Sequence, residues 1–183
     1  MHEDIKEVLY SEEAIAARVA ELGAQITAKY AECAQRGEKI ILISVLRGAA
    51  TFMADLARRI ELPITMDYMA VSSYGNAAKS SGTVRIVKDL SEDIAGAHVI
   101  IAEDIIDSGL TLTYLLELLG ERGPASIEIV AFMRKQVEGQ ADVPCELVGF
   151  ECPNEFIVGY GLDFAERYRN LPYVGILKPE VYS

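Results

Sequence analysis

The sequence predicts an α/β protein with a mostly parallel central sheet flanked by helices. Continuous apolar runs rich in β-branched residues, at residues 39–46 and 98–102, are typical of strands that are buried on both faces. The segments between such runs carry apolar residues at helical spacing. Strands that alternate with helices in this way favour a parallel sheet covered on both sides. The chain has 183 residues, of which 51% are apolar and 25% charged, and this suits one domain.

The beginning of the chain supplies two predicted helices and the first buried strand. Ser11 is a good N-cap for a helix that runs to about Arg36, where Gly37 ends it. The apolar face of this helix consists of Ile15, Val19, Leu22, Ile26 and Tyr30. The buried strand at residues 39–46 follows, and residues 49–60 again place apolar side chains at helical intervals.

The rest of the chain continues the alternation. Residues 73–82 are small and polar with two glycines, a composition typical of a mobile loop. A helix is predicted over residues 110–122, and Gly123 and Pro124 stop it. Extended segments are predicted at residues 63–72, 83–88, 98–102, 126–133, 146–150, 156–158 and 173–177.

Composition and charge exclude several classes of partner. The formal net charge of −11 repels polyanions, so no nucleic acid is expected as a partner. The longest apolar run is far shorter than the roughly 18 residues of a membrane span, and the acidic N-terminus is unlike a secretory signal. Three cysteines without CxxC spacing indicate reduced thiols, and two histidines argue against a multi-histidine zinc site. We therefore expect a cytoplasmic protein with no membrane partner.

Three carboxylates follow directly on the apolar run at residues 98–102. They belong to Glu103, Asp104 and Asp107, and they lead into a turn that begins the next helix. Open α/β sheets bind ligands at the carboxyl ends of their parallel strands. Glu103 and Asp104 could be solvated loop acids, but three acids within five residues repel one another, which favours a cation or a hydroxyl-rich ligand. Both are suited to vicinal hydroxyls or to Mg²⁺, which prefers hard oxygen ligands.

The turn after these acids is suited to a phosphate monoester. Gly109 allows a close approach of the backbone, and the hydroxyls of Ser108 and Thr111 add hydrogen-bond donors at the N-terminus of a helix. The alternative is that Asp107 and Ser108 merely cap that helix. The sequence contains neither a Walker P-loop nor a GxGxxG fingerprint after a strand. Sugar, phosphate and metal are thus all implied by one turn.

Residues 99–111 resemble the 5-phosphoribosyl-1-pyrophosphate signature of the type I phosphoribosyltransferases. The shared pattern is four mainly aliphatic residues, two acids, two aliphatic residues and then Asp-[Ser/Thr]-Gly-x-Thr. Further matches lie in register along nearly the whole chain and narrow the resemblance to the hypoxanthine-guanine phosphoribosyltransferases. They are Leu46-Arg47-Gly48, Ser73-Tyr74, Lys135, Val148-Gly149-Phe150-Glu151, the run from Phe156 to Asp163, and Arg169.

This resemblance implies a fold and a reaction. The fold is the type I phosphoribosyltransferase fold, a single domain over residues 1–183 with a small base-binding hood formed mainly by residues 145–183 with N-terminal contributions. The reaction moves the 5-phosphoribosyl group from phosphoribosyl pyrophosphate to N9 of hypoxanthine or guanine, which is purine salvage. Mg²⁺ is the implied cofactor, and the family usually forms homodimers or homotetramers.

The resemblance also implies a role for each matching residue. The ribose phosphate contacts are Glu103, Asp104, Ile106, Asp107, Ser108, Gly109, Leu110 and Thr111. The pyrophosphate contacts are Leu46, Arg47 and Gly48, in a loop that often contains a non-proline cis peptide, together with Ser73, Tyr74 and Arg169. The purine contacts are Lys135 at the oxygen on C6, Phe156 stacked on the ring, Ile157 through its backbone, and Asp163. The implied metal ligands are Glu103, Asp104 and Asp163, and Asp107 is the implied general base for the proton on N7.

Two alternatives and one departure from the family remain at this point. A regulatory protein on the same fold would bind RNA or DNA, and the charge of −11 counts against it. Xanthine specificity stays open, because the contact near purine C2 acts largely through backbone groups. Leu110 stands where many relatives carry a polar residue, but that position contributes mainly its amide.

Overall fold

The computed structural model describes residues 2–73, 84–135 and 143–182. The elements of this part of the chain are β1 (Ile5–Tyr10), α1 (Glu12–Gln35), β2 (Ile40–Leu46), α2 (Ala50–Ala57), β3 (Thr65–Ser73), β4 (Val84–Lys88), β5 (His98–Ile106), α3 (Leu110–Gly120), β6 (Ser126–Lys135), β7 (Leu147–Cys152), β8 (Ile157–Val158), β9 (Val174–Leu177) and α4 (Pro179–Tyr182). No helix in these residues has the length and apolar character needed to cross a membrane.

The larger of the two sheets has six strands in the order β4-β3-β2-β5-β6-β7. The pairs β3 with β2, β2 with β5, β5 with β6 and β6 with β7 are parallel, and only the edge strand β4 is antiparallel. The predicted fold class, an α/β protein with a mostly parallel sheet, is therefore confirmed.

Both faces of the larger sheet are buried. Ile100 belongs to a core cluster with Leu22 of α1 and Phe52 of α2, whereas its neighbour Ile101 belongs to a second cluster with Leu115 of α3. Because neighbouring side chains of a strand point to opposite faces, a strand covered on both sides is apolar at nearly every covered position. This explains the continuous apolar runs of β2 and β5.

The smaller sheet is antiparallel, with the order β1-β9-β8. Two of the elements at this end of the molecule, β1 and α4, are not predicted from the sequence. Only Ile5 is buried in β1, so that strand has no clear alternation of apolar and polar residues. The strand β7 pairs with β6 in the larger sheet, so β8 and β9 are the strands after residue 145 that belong to the smaller sheet in the described residues.

The strand β5 continues four residues beyond its predicted end at Ala102. Glu103 pairs with Ala131 of β6, and Ile105 and Ile106 pair in the same parallel register. The first two acids therefore lie on the strand itself, because pairing with β6 outweighs their low strand propensity. The predicted loop at residues 73–82 begins at the last residue of β3, and the remainder lies outside the described residues.

Candidate active site

A small cavity of about 100 Å³ lies where β5 ends and α3 begins. Gly109 is the N-cap of α3 and has a φ of 77°, in the left-handed region that favours glycine. In the described residues this helix has no side-chain cap, and Leu110 N–H makes only a long contact of 3.5 Å to Ser108 Oγ. Gly109 thus stands at the cap position that the alternative gave to Asp107 or Ser108. The exposed amides at this end can bind an anion.

Glu103 and Asp104 point to opposite sides of β5, as neighbouring residues of a strand do. Glu103 lines the small cavity, and Asp104 lines a larger cleft beside it. Burial raises the pKa of Glu103 well above its ordinary value, and the charge of Asp104 raises it further. Burial also raises the pKa of Asp104, although the Ile105 amide and Arg169 act in the opposite direction. A bound cation or ribose hydroxyls would offset the cost of holding these charges together.

The larger cleft has a volume of about 400 Å³ and is the place where distant parts of the chain meet. It combines one cationic side chain with acids and apolar groups. Its lining is Asp104, Ile105, Asp107, Lys135, Cys152, Glu155, Phe156, Ile157, Leu162 and Asp163. Lys135 is the last residue of β6, and Phe156 directly precedes β8. A flat ligand with a carbonyl oxygen fits such a lining.

The loop after β2 packs directly against this cleft. A Cβ atom at Gly48 would overlap the carboxylate of Asp104, and a Cβ atom at Gly161 would overlap the carbonyl oxygen of Gly48. The peptide bond between Leu46 and Arg47 is cis, in agreement with the family pattern. Glycine at position 48 thus allows the backbone of this loop to lie beside an acid of the site.

Arg47 and Arg169 form ion pairs beside this loop with Glu166, a residue for which the sequence predicted no role. Arg169 donates to the carbonyl oxygen of Gly161 at 2.8 Å and pairs with Asp163 at 2.8 Å. Glu166 pairs with Arg47 at 2.9 Å and with Arg169 at 3.5 Å. In the described part of the chain, the buried Nε of Arg169 has no hydrogen-bond partner. An anion bound here would meet both guanidinium groups.

Most of the predicted site residues come together in these cavities and the adjoining loop. The side chain of Leu110 is 61% exposed, as expected for a position that contributes its amide. Tyr74 and the side chain of Ser73 lie outside the described residues. Sequence reasoning missed Cys152, Glu155, Leu162 and Glu166, and only the match of residues 156–163 to the family could have indicated one of them, Leu162.

A second group of possible metal ligands lies at the opposite end of the sheet. Cys33, Glu38 and His98 place one ligand atom each within 4.8 Å of one another. The guanidinium of Arg36, 2.7 Å from Glu38, together with His98 lowers the pKa of that carboxyl to about 2. Because Arg36 already neutralises the carboxylate, we interpret this group as an ion-pair network that joins α1 to the start of β5.

The parallel sheet, the anion-binding turn after β5 and the adjoining cleft are together the features of a type I phosphoribosyltransferase. A family model described as a phosphoribosyl transferase domain matches residues 7–165. The chain is 52% identical over 183 residues to the hypoxanthine-guanine phosphoribosyltransferase of Bacillus subtilis, covering 100% of this chain and 99% of that protein. The chain thus belongs to the hypoxanthine-guanine phosphoribosyltransferase family.

Further similarities agree with this assignment. A crystal structure of a hypoxanthine phosphoribosyltransferase from Staphylococcus aureus has 47% sequence identity and a TM-score of 0.93, covering 100% of this chain and 97% of that one. The bifunctional protein TilS/HprT of Listeria innocua is 50% identical over 183 residues. The chain spans only 28% of the length of that bifunctional relative.

Proposed function

We propose that this protein transfers the 5-phosphoribosyl group of phosphoribosyl pyrophosphate to N9 of hypoxanthine or guanine, giving IMP or GMP and pyrophosphate. The observation that carries the proposal is the position of Asp107, which lines both the small cavity and the larger cleft. A sugar phosphate in the first and a purine in the second would meet at this carboxylate. The bond between ribose and base would form there.

The donor would bind across three parts of the site. The amides at the start of α3 and the hydroxyls of Ser108 and Thr111 would hold the 5-phosphate. Glu103 and Asp104 would accept hydrogen bonds from the ribose hydroxyls. The loop at Gly48 and the guanidinium group of Arg169 would face the pyrophosphate.

Mg²⁺ is the cofactor that the family implies, and the residues present fit it. Glu103, Asp104 and Asp163 offer carboxylate oxygens, which are the ligands Mg²⁺ prefers, and burial raises the pKa of the two acids on β5. We propose that Glu103 and Asp104 serve Mg²⁺ on the ribose side of the site and that Asp163 holds a second Mg²⁺ on the pyrophosphate side. When bound, it would neutralise charge on the leaving pyrophosphate.

In the chemical step, negative charge would be stabilised on one side of the ribose and a proton would be accepted on the other. Loss of pyrophosphate leaves an oxocarbenium-like carbon, and Arg169 with the loop amides would stabilise the departing anion. On the other side, Asp107 would accept the proton from N7 as N9 attacks the carbon. Its carboxylate would also lie close to the positive charge that develops on the sugar.

The cationic side chain of Lys135 and the aromatic ring of Phe156 would select the base. Lys135 would donate to the oxygen on C6, Phe156 would stack on the purine, and the backbone of Ile157 would contact its edge. Adenine has an amino group at C6, which cannot accept a hydrogen bond from an ammonium group. A 6-oxopurine is therefore the preferred acceptor.

Replacing Lys135 by Ala should raise KM for hypoxanthine about 10- to 100-fold, since a hydrogen bond from a charged group contributes about 1.5–3 kcal/mol. KM for phosphoribosyl pyrophosphate should stay unchanged, because Lys135 lies in the cleft and not in the phosphate cavity. Steady-state kinetics with each substrate varied in turn would measure both values. Lys6→Ala, at an exposed position of β1, is the control. A variant that loses affinity for both substrates equally would contradict this role.

Glu166→Gln should lower KM for phosphoribosyl pyrophosphate. The carboxylate of Glu166 pairs with Arg47 and Arg169, so it competes with pyrophosphate for the same guanidinium groups. The expected decrease is about two- to fivefold, because exposed ion pairs contribute less than about 1 kcal/mol. The measurement is KM for the donor at saturating hypoxanthine, with the exposed Glu121→Gln as control. An increase in KM would mean that Glu166 instead orients the arginines.

The direct test of the proposed function is nucleotide formation from phosphoribosyl pyrophosphate, Mg²⁺ and each of hypoxanthine, guanine, xanthine and adenine. Turnover of hypoxanthine or guanine without turnover of adenine is the expected result. The rate with xanthine shows whether xanthine is also a substrate. A folded protein that binds the donor but turns over no base would support the regulatory alternative.

As the family implies, we also propose a cytoplasmic homodimer or homotetramer, which a monomer in light scattering would contradict.

A further inference from the structure

The ring of Phe156 is held by two other aromatic rings. Tyr182 of α4 stacks on it, with ring centroids 4.8 Å apart and planes inclined by 23°. Phe164 meets it edge-on, at 5.4 Å and 88°. Phe156 is 37% exposed, so these contacts cover the ring only in part.

Backbone hydrogen bonds join the segment before α4 to Phe156 and to the beginning of the chain. Leu177 N–H donates to the carbonyl oxygen of Phe156 at 2.8 Å, immediately before α4 begins. Lys178 N–H donates to Asp4 at 3.0 Å, which ties the start of α4 to the segment before β1. Tyr182 therefore follows, by four residues, a segment that is hydrogen-bonded to the backbone of Phe156.

The two rings differ in their relation to the cleft. Phe156 lines the cleft with Lys135 and Asp107, whereas Tyr182 is not among the described residues that line it. A flat ring has two faces, and stacked contacts use one face each. Because Tyr182 covers one face of Phe156, the exposed part of the Phe156 ring is available to a ligand in the cleft.

We propose that Tyr182 is a positioning residue for the purine, which holds the ring of Phe156 in the orientation that stacks on the base. The inference rests on the proposed function. A partly exposed phenylalanine without this contact would sample other rotamers, and binding the base would then require ordering it. Tyr182 removes this cost before the base arrives, and it acts without touching the substrate.

The expected consequence is a loss of affinity that is confined to ligands with a base. Tyr182→Ala should weaken binding of IMP about 2- to 10-fold, the range typical of one aromatic pair, and raise KM for hypoxanthine similarly. Binding of ribose 5-phosphate should not change, because no residue of α4 is among the described residues that line the small cavity at the start of α3. Tyr182→Phe keeps the ring and should behave like the wild-type protein.

The experiment is calorimetric titration of the purified protein with IMP and, separately, with ribose 5-phosphate, together with KM for hypoxanthine. Glu180→Ala, at an exposed position of α4, is the matched control. Equal losses for the two ligands in Tyr182→Ala, or a loss in Tyr182→Phe as large as in Tyr182→Ala, would overturn the positioning role. No turnover of hypoxanthine by the wild-type protein would overturn the proposed function as well. Turnover without a base-specific loss in Tyr182→Ala would overturn the positioning role alone.

Discussion

Asp107→Asn is expected to lower kcat for hypoxanthine about 10²- to 10⁴-fold, the contribution typical of a general base. The substitution keeps the size of the side chain and its ability to form hydrogen bonds, but an amide cannot accept the proton from N7. Asp107 is exposed and lines both cavities, so the substitution leaves the core intact. The melting temperature should therefore remain close to that of the wild-type protein.

The measurement for Asp107→Asn is kcat at saturating concentrations of both substrates, together with KM for phosphoribosyl pyrophosphate. A large decrease in kcat with little change in KM indicates a role in the chemical step rather than in donor binding. Glu117→Gln, an exposed carboxyl on α3 outside both cavities, is the control. If the Asn variant keeps most of its kcat, the proton on N7 leaves by another route and the assignment of Asp107 is wrong.

Gly48→Ala should decrease kcat/KM for phosphoribosyl pyrophosphate about 10²-fold, since a displacement of about 1 Å in a positioned group can cost that much. The new methyl group would overlap the carboxylate of Asp104, so either the loop or the acid must move. Both are parts of the proposed donor site. The change therefore affects the relative positions of the proposed pyrophosphate loop and of Asp104, a proposed metal ligand.

The matched control for Gly48→Ala is Gly120→Ala. A Cβ atom at Gly120, the last residue of α3, would meet nothing within 4 Å, and alanine favours a helix over glycine. This control should retain full activity and the same or slightly higher melting temperature. Wild-type kinetics for Gly48→Ala would show that the loop and Asp104 can separate without cost, and would contradict the close packing described for this site.

The fold could be predicted where buried elements have recognisable apolar patterns in the sequence. The strand β2 and residues 99–102 of β5 are covered on both faces, so all of these residues except Ser44 are apolar. The helix α1 was predicted to within one residue at its ends, because Ser11 and Gly37 mark its limits. The strand β1 could not be predicted in this way, since it forms by pairing with β9, about 170 residues further along the chain.

The sequence by itself determined the parts of the site that are contiguous. The acids and the anion-binding turn lie within residues 103–111, so their types and spacing alone indicate sugar, phosphate and metal. The roles expected of Lys135 and Phe156 required the family resemblance, because single residues of these types are common on surfaces and in cores.

Only the tertiary structure decided which distant residues act together. It brings Gly48 against Asp104, places Glu166 between two arginines and stacks Tyr182 on Phe156. Each of these arrangements includes a contact between segments that are far apart in the chain. Sequence periodicity reports which face of an element is buried, but not what that face meets. The physical reason is that such contacts depend on how the sheets and helices pack, which no local pattern specifies.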